Sequence, residues 1–186
     1  GSLYAAGQNQ KTLEATRAVI NNPNQSNIYA FTKAMLKEYK KAYKENNLEN
    51  AADYLRSALY FLKQNPNSFD YQDSKNKLDD ILAKMGADTS EASRLELAKS
   101  LYLENKLFAA AYEFSTLLKE GYEVDVCYEY MGDIAYSLRS ENDAFGFYKM
   151  GVDYNPENLS VKYKYAKMLL SRGKTNDAIY YLEEVI

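Results

Sequence analysis

Small residues stand at positions 98, 132 and 166 of this 186-residue chain (Ala98, Gly132, Ala166), each 34 residues from the next. Three alanines keep the same step, Ala110, Ala144 and Ala178, and bulky residues follow four positions later at Phe114, Tyr148 and Leu182. The register extends to Leu97, Met131 and Tyr165, and to Leu118, Val152 and Ile186. A recurring column of small residues marks places where two helices come close. A unit of this length cannot bury its apolar face alone and does so by stacking on its neighbour. Eight glycines and three prolines are few for such a chain, which favours long helices over strands.

Capping signals place the helices. Asp88, with Glu91 three residues on, has the form of a capping box and opens a helix through about Leu103. Glu104-Asn105-Lys106 makes the turn, and Leu107 to Lys119 returns, closed near Gly121. The next pair runs from Asp125 to about Leu138 and from Asn142 to Tyr154. Asn155-Pro156 is expected to cap and start the third pair, with Gly173 at its turn and Thr175 opening the last helix. Asn22-Pro23 and Asn65-Pro66 repeat the Asn-Pro signal, and each is expected to mark a junction between units.

The N-terminal half is out of register. Ala51, Leu55 and Ala58 imitate a returning helix, yet Ala51 lies 59 residues before Ala110. Four helices are expected there, at about 8–22, 26–45, 48–64 and 71–85. The last of them, with Leu78, Ile81 and Leu82, has no obvious partner. Gly1-Ser2 reads as a cloning scar, and Ile186 falls inside an uncapped apolar helical pattern, as in a fragment of a longer protein.

Over residues 91–186 the register resembles the tetratricopeptide repeat (TPR), with units at 91–124, 125–158 and an incomplete 159–186. Over residues 3–90 the likeness is that of a generic helical hairpin. The resemblance implies an all-α fold, a right-handed α-solenoid of antiparallel helix pairs with about ten helices. It also implies a protein–protein interaction scaffold that binds in a concave groove lined by the first helix of each pair. By helical phase that face carries Tyr102, Tyr136 and Tyr163 beside Lys99, Glu129, Asp133 and Lys167. Some members of the family grip a partner's terminal carboxylate, but Glu129 and Asp133 at the centre of this face would repel one. The expected partner is therefore another protein, presenting a peptide or helix of mixed or basic charge. Arg139 at the usual turn glycine, Ala135 at a usually large position and Gly151 inside a helix depart from the family pattern.

Chemistry is hard to place in this chain. Histidine is absent, which removes the usual general base, the Ser-His triads and the commonest transition-metal ligand. No glycine-rich phosphate loop or dinucleotide fingerprint occurs. The carboxylate pairs Asp79-Asp80 and Glu183-Glu184 are adjacent, so on a helix they point about 100° apart and make no dyad. The expectation is a protein that is no enzyme and takes no cofactor or metal. One cysteine, Cys127, excludes an intrachain disulfide framework, and no run of about 18 apolar residues exists to span a bilayer.

The formal charge is −3, with 12 Lys+Arg against 10 Asp+Glu in residues 1–90 and 11 against 16 in residues 91–186. That balance gives no global attraction to nucleic acid or anionic lipid. Lys33, Lys37, Lys40, Lys41 and Lys44 do share one broad helical face, with Tyr39 and Tyr43 interleaved, as in surfaces that touch RNA or lipid. We read the row as the soluble outer face of a helix packed inward through Ile28, Phe31, Met35, Leu36, Tyr39 and Ala42, its charge diluted by Glu38 and Glu45. Alternatives to a peptide receptor are a docking or regulatory region of a larger enzyme and a self-assembly module joined through terminal helices. Asparagine, lysine and tyrosine usage suggests an AT-rich, bacterial genome. A cytoplasmic location is favoured, with periplasmic or secreted ones open.

Overall fold

The computed structural model describes residues 10–186. Residues 1–9, which include Gly1-Ser2, read above as a cloning scar, and the start expected for the first helix, lie outside the described residues. Among the described residues there are ten α-helices and no strand. They are α1 (Gln10–Asn21), α2 (Gln25–Lys44), α3 (Leu48–Leu62), α4 (Phe69–Met85) and α5 (Glu91–Leu103), then α6 (Leu107–Lys119), α7 (Val124–Ser137), α8 (Glu141–Tyr154), α9 (Leu159–Ser171) and α10 (Thr175–Val185). Within each part of the chain, helices adjacent in sequence pack together, α1 to α4 in one run and α7 to α10 in another, as in a helical repeat.

One turn joins four helix pairs, and its backbone bonds recur where Gly86 and Gly121 end α4 and α6. Asn46, Asn105, Arg139 and Gly173 each adopt a left-handed conformation, with φ of 59°, 63°, 63° and 76°. Each donates its amide to the carbonyl three residues back, and the following amide reaches five residues back. This Schellman arrangement satisfies carbonyls that the ended helix leaves open. Five residues past each turn stands an alanine, Ala51, Ala110, Ala144 or Ala178, and all four are 0% exposed. The connections α2–α3, α5–α6, α7–α8 and α9–α10 are thus copies of one turn. The first copy precedes the second by 59 residues, which is 34 plus 25, and α4 with its connections supplies the difference. The fourth helix does have a partner: α4 packs on α3, through Leu78 and Ile81 among its buried residues.

The caps differ from expectation in a consistent way. Asn24, Ser68 and Asn158 cap α2, α4 and α9, each two or three residues after the Asn-Pro asparagine. The prolines occupy the turn ahead of the cap, and Asn155 closes α8 instead of opening α9. Asp88 likewise stands outside its helix. Ser90 is the N-cap of α5, while Asp88 accepts from the Ser90 amide and the Ser93 hydroxyl. Those bonds favour the charged form and hold the Asp88 carboxyl below the ordinary range.

The chain forms two compact units, one up to Glu113 and one over Phe114–Ile186, with the boundary inside α6. In the first, α1, α2, α3 and α4 pack in sequence. Helix α3 is its centre, since every residue from Ala51 to Leu59 is buried. Phe31, Phe61 and Phe108 meet there with ring centroids 5.0 to 5.5 Å apart. Because that stretch of α3 is enclosed, the two charged residues within it, Asp53 and Arg56, are buried too, while Glu49 in the first turn stays exposed. Arg56 Nη1 lies 3.0 Å from Asp53 Oδ1 and Arg56 Nε donates to Glu113 Oε1 at 2.9 Å. Lys106 Nζ lies 2.8 Å from the second Asp53 oxygen. Burial pushes the Asp53 carboxyl up, against the pull of Lys106 and Arg56.

In the second unit, α7 packs on α8, α8 on α9 and α9 on α10. Phe114 stacks on Tyr130 with centroids 4.7 Å apart. Two glycines allow close approach. A Cβ on Gly132 would lie 2.4 Å from Tyr148 Cε1, so the ring occupies the space a side chain would take. A Cβ on Gly151 would lie 3.0 Å from Val161 Cγ2, so this glycine seats α8 against α9. Cys127 is buried, its sulfur 3.5 Å from the Tyr122 carbonyl. Asp125 accepts from both Asn155 and Asn158, pinning the α8–α9 turn to α7. Burial opposes the charge there, yet these bonds prevail and hold the carboxyl below its ordinary value. No described helix is long and apolar enough to cross a membrane.

Candidate cleft on the second unit

A cleft of about 420 Å³ opens on the second unit, lined by Asp133 and Tyr136 of α7, Glu141 and Tyr148 of α8, and Lys164, Lys167, Met168 and Ser171 of α9. The hairpin α7/α8 and the incoming α9 make its walls because Gly132 lets Tyr148 lie flat against α7. From that seat the Tyr148 hydroxyl donates to Asp133 Oδ1 at 2.6 Å. Lys164 Nζ donates to the other Asp133 oxygen at 2.9 Å and lies 2.7 Å from Glu129 Oε2. Ser160 Oγ donates to Glu129 at 2.6 Å. Both carboxylates therefore have partners, and a single ammonium bridges them. Burial pulls the Lys164 pKa down, but bonds to Glu129 and Asp133 outweigh it and the net direction is upward. Lys164 is a fixed cation.

Outward of this satisfied floor lie tyrosine rings. Tyr136 is 58% exposed and Tyr163 is 46% exposed. Lys167 Nζ sits 5.4 Å from the Tyr163 ring centroid, a cation–π distance. Arg172 lies over Phe145 at 4.0 Å and donates to Asn142, fixing the end of α9 against the start of α8.

Of the seven residues assigned to the groove, Asp133, Tyr136 and Lys167 line the cleft. Glu129 joins it through Lys164, and Tyr163 through Lys167. Lys99 and Tyr102 lie on α5 in the first unit, both half-buried, with Lys99 3.3 Å from Glu96. Helical phase missed Lys164 and Tyr148. Ser160, Lys164, Lys167 and Ser171 follow at steps of four, three and four, one face of α9, so the signal for Lys164 was present. Tyr148 falls on a packing column and gives no sequence sign that its hydroxyl reaches a polar cleft.

The first unit holds a second cavity, of about 440 Å³, between α3, α4 and α5, with Asp53 and Arg56 in its wall. Among the described residues no group of His, Cys, Asp and Glu is arranged to hold a metal ion. Of the adjacent carboxylates, Asp79 pairs with Lys75 and Asp80 with Lys84 at the surface, and Glu184 pairs with the buried Lys162. Comparison of the chain with protein-family models finds no match, and comparison with curated proteins finds none either.

Proposed function

We propose that this chain is a TPR-like, right-handed repeat module that acts by binding and not by chemistry, holding a peptide or helix of another protein in the cleft of its second unit. The observation that carries the reading is the pairing of exposed Tyr136 and Tyr163 with a floor whose polar groups are already bonded. Such a floor needs no ion to complete it, and tyrosine offers contact area with little side-chain entropy to lose. Lys164 cancels one of the two charges of Glu129 and Asp133, leaving one negative charge in the floor and Lys167 and Glu141 as one cation and one anion near the rim. A segment of mixed charge suits that rim. The four copies of one hairpin turn support the family likeness.

A peptide selected from a displayed random library on the intact chain tests this. Tyr136→Ala with Tyr163→Ala is expected to weaken it at least about tenfold, roughly 1.4 kcal/mol, without lowering the melting temperature. Undiminished affinity would place the binding surface elsewhere. A second reading, self-association through the last hairpin, draws on the exposed Leu170, Ile179 and Tyr180. Sedimentation velocity over a wide concentration range decides it: a constant value removes self-association.

A further inference from the structure

Helix α2 carries Lys33, Lys37, Lys40 and Lys44 at steps of four, three and four, all exposed. At 1.5 Å per residue the row is about 16 Å long. Its neighbours are one turn apart and alike in sign, a spacing that destabilises a helix. Helix α4 treats its lysines differently. Lys75, Lys77 and Lys84 each pair with an aspartate one turn away, Asp79, Asp73 and Asp80, at 2.6, 2.7 and 3.3 Å. None of these four lysines has a carboxylate one turn away on α2, and none forms an ion pair among the described residues; the fifth α2 lysine, Lys41, stands one turn from Glu38 and Glu45.

Glu38, expected to dilute this face, does not lie on it. It is 4% exposed and accepts the Thr12 hydroxyl from α1 at 3.0 Å. Thr12 and Glu38 meet because α1 packs on the opposite side of α2 from the lysines. Glu45, at the C-cap, is the acid left beside the row. The face is thus more cationic than its sequence suggests, and Tyr29, 67% exposed, extends its N-terminal end with Lys33 6.0 Å from the ring.

The chain as a whole is anionic, at −3. An extended polyanion or an anionic bilayer meets that charge over its whole length, while the row attracts only within about 8 Å at physiological salt. The row also lacks the exposed aliphatic side chains that would enter a bilayer. We infer that the lysine row of α2 docks a short acidic helix of a partner protein, with carboxylates at the same four-three-four steps lying along it. This surface is independent of the cleft reading, and either can fail alone.

The test uses two fluorescein-labelled alanine-based helical peptides of identical composition. One places four glutamates at steps of four, three and four; the other spreads them around the helix. Anisotropy titrations of the full chain are expected to show the striped peptide bound at least about tenfold more tightly, with affinity falling as salt rises. Lys33→Gln, Lys37→Gln, Lys40→Gln and Lys44→Gln combined should abolish the difference, and Lys75→Gln with Lys77→Gln should preserve it. Equal binding of the two peptides overturns the inference, and so does undiminished binding by the quadruple variant. Tighter binding of phosphatidylserine vesicles or single-stranded RNA through the same lysines overturns it as well. If the quadruple variant fails to fold, the comparison of the two peptides on the unaltered chain still decides.

Discussion

Arg56→Met is expected to remove about 3–5 kcal/mol from the stability of the first unit. The guanidinium holds Asp53 at 3.0 Å and Glu113 at 2.9 Å, and all three side chains are 5% exposed or less. Methionine fills similar volume, so the loss comes from charge and not from a cavity. Asp53 would retain Lys106, but Glu113 would lose its bond to Arg56 while remaining in the interior. The Asp53 carboxyl is already pushed up by burial, and loss of Arg56 removes one of the two cations that pull it down, so its folded pKa rises further above the unfolded value. Stability of the variant should then decline as pH rises from the unfolded pKa through the folded one, and recover as pH is lowered again. Urea unfolding at pH 7 and pH 5 checks both parts. A loss below about 1 kcal/mol, within the surface ion-pair range, would show that water reaches the cluster.

The second large effect concerns Gly132. Alanine there should gain about 1 kcal/mol of helix propensity over glycine. It should nevertheless destabilise the second unit by about 1.5–5 kcal/mol net, because overpacking costs about 1–3 kcal/mol and a lost bond to a charged group about 1.5–3. The new Cβ would fall 2.4 and 2.6 Å from Tyr148 ring atoms, and the ring is enclosed. To clear it, Tyr148 must leave its slot and release Asp133. The repeat itself supplies the repair. One period later the same positions hold Ala166 and Leu182, so Gly132→Ala combined with Tyr148→Leu should recover much of the packing loss while leaving Asp133 with Lys164 alone. Thermal melts of the two single variants and the double variant form a cycle. Additive losses would mean that the two residues do not share one space.

The helices were legible in the sequence because period and punctuation agreed. Expected boundaries for α2, α3, α6, α7 and α8 fall within two residues of those observed. The cap positions failed for one reason: asparagine before proline looks like a cap, but here proline holds the turn and Asn24, Ser68 or Asn158 behind it caps. The place of α4 was hidden because an offset of 59 residues is not a multiple of 34. The left-handed turn at Asn46, followed five residues on by buried Ala51, shows the α2–α3 connection to match the others. The cleft was half legible. Phase found Asp133, Tyr136 and Lys167, since exposure on a helix follows a fixed angle. The charge of Glu38 read as solvated because burial is set by which helix arrives opposite, and that is a tertiary fact.

The added helix also has a meaning in chain statistics. The Arg56–Glu113 contact closes a loop of 57 residues, and without the 25 that α4 contributes it would close one of 32. Closure entropy grows only with the logarithm of loop length, so that lengthening costs less than about 0.6 kcal/mol. A chain assembled from near neighbours can therefore accept a whole helix between two hairpins at almost no thermodynamic penalty. The slower search for the distant ionic partner is borne by the folding rate.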